Sequence, residues 1–150
     1  MGARRKGRII AFQSLYRHEL SGASLEELFD FSWLQSDKAA SPPGRAAAPP
    51  PADTLLFARL LIQGALENLP RVDEVIKGQL ENWDFSRLNK VDLALLRMSV
   101  YCLLFQPDIP PTVTIDEAVD ISKTYGTADS YRFVNGVLDG IRRKLNLPGD

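Results

Sequence analysis

Cysteine and histidine are nearly missing from this chain of 150 residues: Cys102 and His18 are each alone in their type. A single cysteine excludes an intrachain disulfide, and one cysteine with one histidine cannot build a Cys/His zinc site, so no structural metal is expected. Long apolar runs are missing too. No stretch reaches the roughly 18 residues that cross a bilayer, and the basic N-terminus leads into an amphipathic pattern rather than a secretory signal, which predicts a cytoplasmic protein. Phosphate-binding loops of the Gly-x-Gly-x-x-Gly or Gly-Lys-Ser/Thr type are absent, and nothing reads as a parallel sheet. His18 and Cys102 fall on different helices, with Cys102 inside the most apolar segment, where a thiol is structural. No catalytic set and no cofactor site is read, so the expectation is a binding protein and not an enzyme.

What is present is a core and an uneven charge. Apolar residues make up 45% and charged residues 25% of the chain, the composition of one globular domain over residues 1–150. Arg4, Arg5, Lys6, Arg8 and Arg17 all precede the first acid, Glu19, whereas the rest of the chain holds 13 basic and 19 acidic residues, a balance of −6. A cationic start of this kind suits a polyanion, although a solvated helix start is the plain alternative.

Helical periodicity runs through almost the whole chain. Ile9, Phe12, Leu15, Tyr16 and Leu20 share related faces of a first helix that stops near Ser21-Gly22. Ser24 with Glu27 has capping-box spacing before the stripe Leu25, Leu28, Phe31 and Leu34. From about residue 37 to 53 the chain turns rich in proline and alanine, with five of the ten prolines, and predicts a flexible surface loop. Asp53 is placed as the cap of a third helix carrying Leu55, Leu56, Phe57, Leu60 and Leu61, and Pro70 opens a fourth. Ser86 to Phe105 is apolar on most sides and predicts a central helix. Thr114 with Glu117 predicts a capped helix closing at Gly126. A last helix starts near Asp129 or Ser130 and buries Phe133, Val134, Val137, Leu138, Ile141 and Leu145, with Gly136 and Gly140 allowing a neighbour to approach. The expected fold is all-α, a compact bundle of about seven helices, with two helical halves joined across the proline loop as one arrangement of it.

RNA binding needs cations for phosphates and flat side chains for unstacked bases. Arg4, Arg5, Lys6 and Arg8 supply the cations, and Tyr16 lies two turns beyond Arg8. Asp129, Ser130, Tyr131, Arg132 and Phe133 combine capping groups, a cation and two aromatics at the start of the last helix. Tyr16 and Phe133 are equally readable as core residues. Asp116, Glu117 and Asp120 cluster in the first turns of a helix, where carboxylates complement the dipole.

Four segments, ARRKGRIIAFQSLY at 3–16, VDLALLRMSVYCLL at 91–104, TVTIDEAVDISKTYG at 112–126 and DSYRFVNGVLDGI at 129–141, resemble the bacterial NusB transcription antitermination family in order and spacing. The resemblance implies a seven-helix fold that pairs with NusE, a small-subunit ribosomal protein, to bind boxA RNA and act on RNA polymerase during ribosomal RNA transcription. It also implies RNA contacts at Arg4, Arg5, Lys6 and Arg8 and at the aromatic positions Tyr16 and Phe133, with Asp129 and Ser130 beside the latter. The proline-rich loop is longer and more biased than the family pattern, and Asp116, Asp120 and Ser122 stand where relatives often have Asn, Glu and Ala. A similar helical module precedes the catalytic part of ribosomal RNA cytosine methyltransferases, but neither their methyl-donor loop nor a nucleophilic cysteine is read here. The alternative from another class is a helical protein–protein module, or a homodimer that masks its own basic arm, with incidental RNA affinity.

Overall fold

The computed structural model describes residues 2–31, 50–81 and 83–149. They form seven α-helices: α1 (Ala3–Ser21), α2 (Leu25–Phe29), α3 (Ala52–Glu67), α4 (Leu69–Gln79), α5 (Lys90–Phe105), α6 (Pro111–Tyr125) and α7 (Ser130–Lys144). A 3₁₀ turn at Phe85–Arg87 precedes α5, and the described residues contain no strand. The all-helical expectation holds. Leu34 and most of the expected loop at 37–53 lie outside the described residues.

Local chemistry explains most helix ends, including those the periodicity misplaces. Gly22 closes α1 at φ 69°, a left-handed conformation, and donates its N–H to the His18 carbonyl at 2.8 Å. The Ser24 hydroxyl accepts the Glu27 N–H at 3.2 Å as the capping box requires, but α2 lasts only to Phe29. Phe31 leaves the helix at φ 53° and turns into the core, so it is not part of a helical stripe. Asp53 is not a cap, because α3 begins at Ala52 behind Pro51, and the Asp53 carboxylate instead accepts the Thr54 N–H at 2.9 Å. Thr114 likewise opens nothing: Pro110 and Pro111 preset the helical start three residues earlier, where the missing proline N–H has no partner to lose. At α5 the Asn89 side chain accepts the Val91 N–H at 2.8 Å, which starts the helix after the 3₁₀ turn rather than at Ser86.

Helix α5 is the hub expected of an apolar segment: it packs against α1, α3, α4, α6 and α7, and Asp92 through Leu103 are buried. The buried side chains of all parts of the bundle, including Leu15 from α1, Ile62 from α3 and Leu138 from α7, belong to one cluster. Each fully buried leucine in it contributes about 1.5–3 kcal/mol of transfer free energy. Not every apolar residue of the expected faces joins: Leu20, Leu56 and Leu60 are exposed, and α3 buries Ala58, Leu61, Ile62 and Ala65 instead. Arg97 ties three helices together, donating to Glu19 of α1 at 2.7 Å and, through two nitrogens at 3.0 Å, to Asp73 of α4. Gly140 does allow close packing, since a Cβ there would run into the Gln79 amide of α4, whereas a Cβ at Gly136 would meet nothing within 4 Å.

Candidate nucleic-acid interface

The N-terminus of α1 places cations where the helix dipole disfavours them. Gly2 offers no side-chain cap, the first turn has no acid, and Arg4, Arg5 and Lys6 stand at the positive end. Tertiary partners offset this. Arg5 donates to Glu117 of α6 through two nitrogens at 2.8 and 3.1 Å and to Asp120 at 2.9 Å, which raises its pKa above the ordinary arginine value. Arg4 and Arg8 both lie over the ring of Phe57 on α3, at 4.6 and 5.3 Å from its centre. Gly7 makes this approach possible, because a Cβ would stand 2.8 Å from the Phe57 ring and 3.1 Å from the Thr54 carbonyl oxygen.

The four arm residues are therefore not equivalent. Arg4 and Lys6 are exposed, Arg5 is committed to two carboxylates, and Arg8 is only 6% exposed. Burial lowers the Arg8 pKa against the opposing pull of Glu117, but an arginine remains charged at any physiological pH. Tyr16 is half-buried and packs against the core, two turns along α1.

A second feature forms where the 3₁₀ turn and the start of α5 face the start of α7. A cavity of about 580 Å³ opens there, lined by Trp83, Asp84, Arg87, Asn89, Asp92, Asp129, Ser130 and Phe133 among others. Phe133 rests partly on the core, and its ring centre lies 5.4 Å from that of Trp83 in a tilted arrangement. Trp83 is 64% exposed. Asp129 stands at the N-cap of α7 without a side-chain cap bond and is exposed. Ser130 departs from the expected exposed donor: it is buried, and its hydroxyl accepts the Thr127 N–H at 2.9 Å, fixing the α6–α7 turn. Arg132 is exposed on the other side of Phe133, with its Nε donating to the Tyr131 hydroxyl at 2.9 Å.

Two residues of this cavity escape a reading by periodicity. Asp92 is 7% exposed, and one of its oxygens is buried with no hydrogen-bond partner among the described residues. Burial pushes its carboxyl above the usual range, opposed by the Ser130 hydroxyl. Asp84 shows the contrasting case, since the Ser86 hydroxyl at 2.7 Å and the Ser86 N–H at 3.0 Å hold its carboxyl below that range. A cavity lined by the Trp83 and Phe133 rings and by the Asp92 and Asp129 side chains can receive an unstacked base and accept from its amino groups. The signal for Trp83 in the sequence is its setting between Glu81, Asn82 and Asp84, an aromatic in a polar run.

Helices α1 and α6 connect the arm to the cavity. Arg5 meets Glu117, Phe12 meets Tyr125 with ring centres 5.3 Å apart, and Tyr16 follows Phe12 by one turn, while α6 leads on to Thr127 at the cavity rim. From Glu117 to Tyr125, where α6 ends just before Thr127, the helical rise is roughly 12 Å. Elsewhere, the buried Cys102 thiol is pushed up to about 12 by burial and is unreactive, and His18 Nδ1 is 2.9 Å from the Ala23 carbonyl oxygen. Among the described residues no group of three metal-ligating side chains occurs, and no helix is long and apolar enough to cross a membrane.

Comparison with known proteins places the fold in a family. The NusB family profile matches residues 5–143. The transcription antitermination protein NusB of Treponema denticola is 45% identical over 141 residues, covering 94% of this chain and 96% of that protein. A solved structure of T. maritima NusB superposes with a TM-score of 0.78 at 36% identity, over 94% of this chain and 91% of the other. A crystal structure of the antitermination factors NusB and NusE in complex with double-stranded RNA superposes with a TM-score of 0.77 at 28% identity, covering 96% and 98% of the two chains. With a profile spanning nearly the whole sequence, near full-length identity of this size and a shared helical architecture, the chain belongs to the NusB family.

Proposed function

We propose that this chain is a transcription antitermination factor of the bacterial cytoplasm that binds boxA-type single-stranded RNA together with NusE and promotes processive transcription of ribosomal RNA operons as part of an RNA polymerase antitermination complex. The observation that carries the reading is the alignment of exposed cations at the start of α1 with the ring-lined cavity at the start of α7, joined along α1 and α6. Phosphates are met by Arg4, Lys6 and Arg132, bases by Tyr16, Phe133 and the carboxylates of Asp129 and Asp92. Arg5 and Arg8 join if RNA displaces their present partners. Ser130 acts by holding the turn. No covalent step is involved, and no metal or cofactor takes part.

Three exposed cations not paired with a carboxylate among the described residues, Arg4, Lys6 and Arg132, predict a slope of log affinity against log salt of about −2, at roughly −0.7 per phosphate on a single strand. Four freely available arm cations would give about −3. The test is fluorescence anisotropy of a boxA oligonucleotide, a scrambled one and a boxA duplex, with and without NusE, at two salt concentrations. Selective binding to the single strand that tightens with NusE is the expected result. Equal affinity for boxA and scrambled RNA contradicts the proposal, and preference for the duplex replaces it with shape recognition of the kind the related NusB–NusE complex with double-stranded RNA suggests.

One observation favours a second reading. Leu56 and Leu60 are exposed on α3, one turn apart and next to Phe57, which carries Arg4 and Arg8. A protein-interaction face or a self-masking homodimer would cover them. Light scattering after size exclusion decides: a dimer that persists on dilution and ignores RNA supports this reading.

A further inference from the structure

We infer that the recess on the far side of the Trp83–Phe133 ring pair is a second nucleotide subsite, so that the two rings form a wall between two consecutive bases of one RNA strand. This rests on the RNA-binding reading and extends it from Phe133 and Arg132 to the recess they share with Gln79 and Gly136. The recess has a volume of about 230 Å³ and is bounded by Gln79, Trp83, Arg132, Phe133 and Gly136 among others. It shares Trp83 and Phe133 with the larger cavity described above. That volume is below the roughly 300–1,000 Å³ of clefts for drug-sized ligands, which suits one base and not a larger group.

Three further observations give the recess the chemistry of a base site. The Gln79 side-chain oxygen has no hydrogen-bond partner among the described residues, a situation that calls for a donor such as the amino group of a base. Its amide lies in the space that a side chain at position 140 would fill, so Gly140 is what admits it there. Gly136 leaves the floor open, since an added Cβ there would meet no atom within 4 Å. Arg132 is exposed at the rim and anchored on the Tyr131 hydroxyl at 2.9 Å, so a cation is fixed where a phosphate between two bases would pass. The exposed Trp83 ring supplies a stacking face whose use is independent of base identity, while Gln79 discriminates by hydrogen bonding.

The test uses the full chain with Gly136→Leu, which fills the recess from a helix position where leucine is a better helix former than glycine. Abasic sites are walked along a boxA oligonucleotide and anisotropy is read for both proteins, with circular dichroism as a check on folding. The expected results are about tenfold weaker binding by the variant, the size of one lost stacking contact, and one abasic position that weakens the wild-type protein but not the variant. Unchanged affinity of the variant, or an abasic profile parallel to that of the wild type, overturns this inference while leaving the larger cavity intact. Absence of any RNA binding by the wild-type protein overturns it together with the reading it rests on. A second readout does not depend on the variant: with Trp33→Phe, Trp83 is the only tryptophan, and its fluorescence is quenched on RNA binding if the ring stacks, while binding without quenching excludes the wall.

Discussion

Replacing Asp92 by asparagine should stabilise the fold at neutral pH, although it removes a charge from the first turn of a helix. The Asp92 side chain is buried, one oxygen has no partner among the described residues, and burial raises its pKa. Leaving a buried polar group unsatisfied costs about 1–3 kcal/mol, and a charge sits at the upper end of that range. Against this, a carboxylate near a helix N-terminus contributes about 0.3–1 kcal/mol through the dipole. The difference leaves about 1 kcal/mol in favour of Asp92→Asn, or a rise in Tm of about 2–4 °C for a chain of this size. The pH dependence has a definite sign. A carboxyl whose folded pKa lies above its unfolded value contributes stability that is fully present below the unfolded range near about 4 and is lost as pH rises through the raised value. The gain from asparagine is therefore present at pH 7.5 and vanishes toward pH 4. Thermal unfolding of both proteins at the two pH values measures it. Destabilisation at pH 7.5, or a difference that does not change with pH, would show that the buried Asp92 charge carries no such cost.

Removing Arg97 as Arg97→Ala leaves Glu19 and Asp73 unpaired and should cost about 3–5 kcal/mol in denaturant unfolding at pH 7. Arg97 holds the Glu19 carboxyl below its ordinary range, so that contribution is present above the unfolded carboxylate pKa and lost as pH falls through the depressed value; the penalty of the variant should shrink on acidification. Glu117→Gln with Asp120→Asn frees Arg5, which should steepen the salt slope of RNA binding by about 0.7 while costing under about 2 kcal/mol of stability, since both pairs are partly exposed. An unchanged slope would show that RNA already displaces these carboxylates. The two glycines should respond with opposite signs to alanine: Gly7→Ala forces the helix off Phe57 and costs about 1–3 kcal/mol, whereas Gly136→Ala meets open space within a helix and gains about 0.5–1 kcal/mol, both readable as shifts in Tm.

Periodicity carries the fold because helices bury one face at a time, and the spacing of Phe12 and Leu15, or of Val134, Leu138 and Ile141, records which face. Helix starts were less legible where two cues competed. At Thr114 a capping pattern and a proline pair both claimed the start, and the prolines win because their φ is already helical and they have no N–H to satisfy. Side-chain roles that depend on distant partners were not legible at all. Arg5 reads as a free cation, yet its partners lie 112 and 115 positions away. Arg8 reads the same way and is buried over Phe57 from another helix. Ser130 lies in the expected segment but points into the turn, and the segment 83–92 supplies Trp83 and Asp92 to the cavity with no repeat to announce them. The family resemblance points to the two ends of the proposed interface; which atoms are available at each end is a property of the packing.

The measurement that bears most directly on the account is amide and indole chemical-shift mapping of the isotope-labelled chain on addition of single-stranded boxA RNA. Shifts are expected to concentrate at Arg4 and Lys6, run past Tyr16, and gather around Asp92, Asp129, Phe133 and the Trp83 indole, with the outer face of α3 unaffected. Shifts confined to the start of α1, or centred on Leu56 and Leu60, would contradict a single RNA path joining arm and cavity.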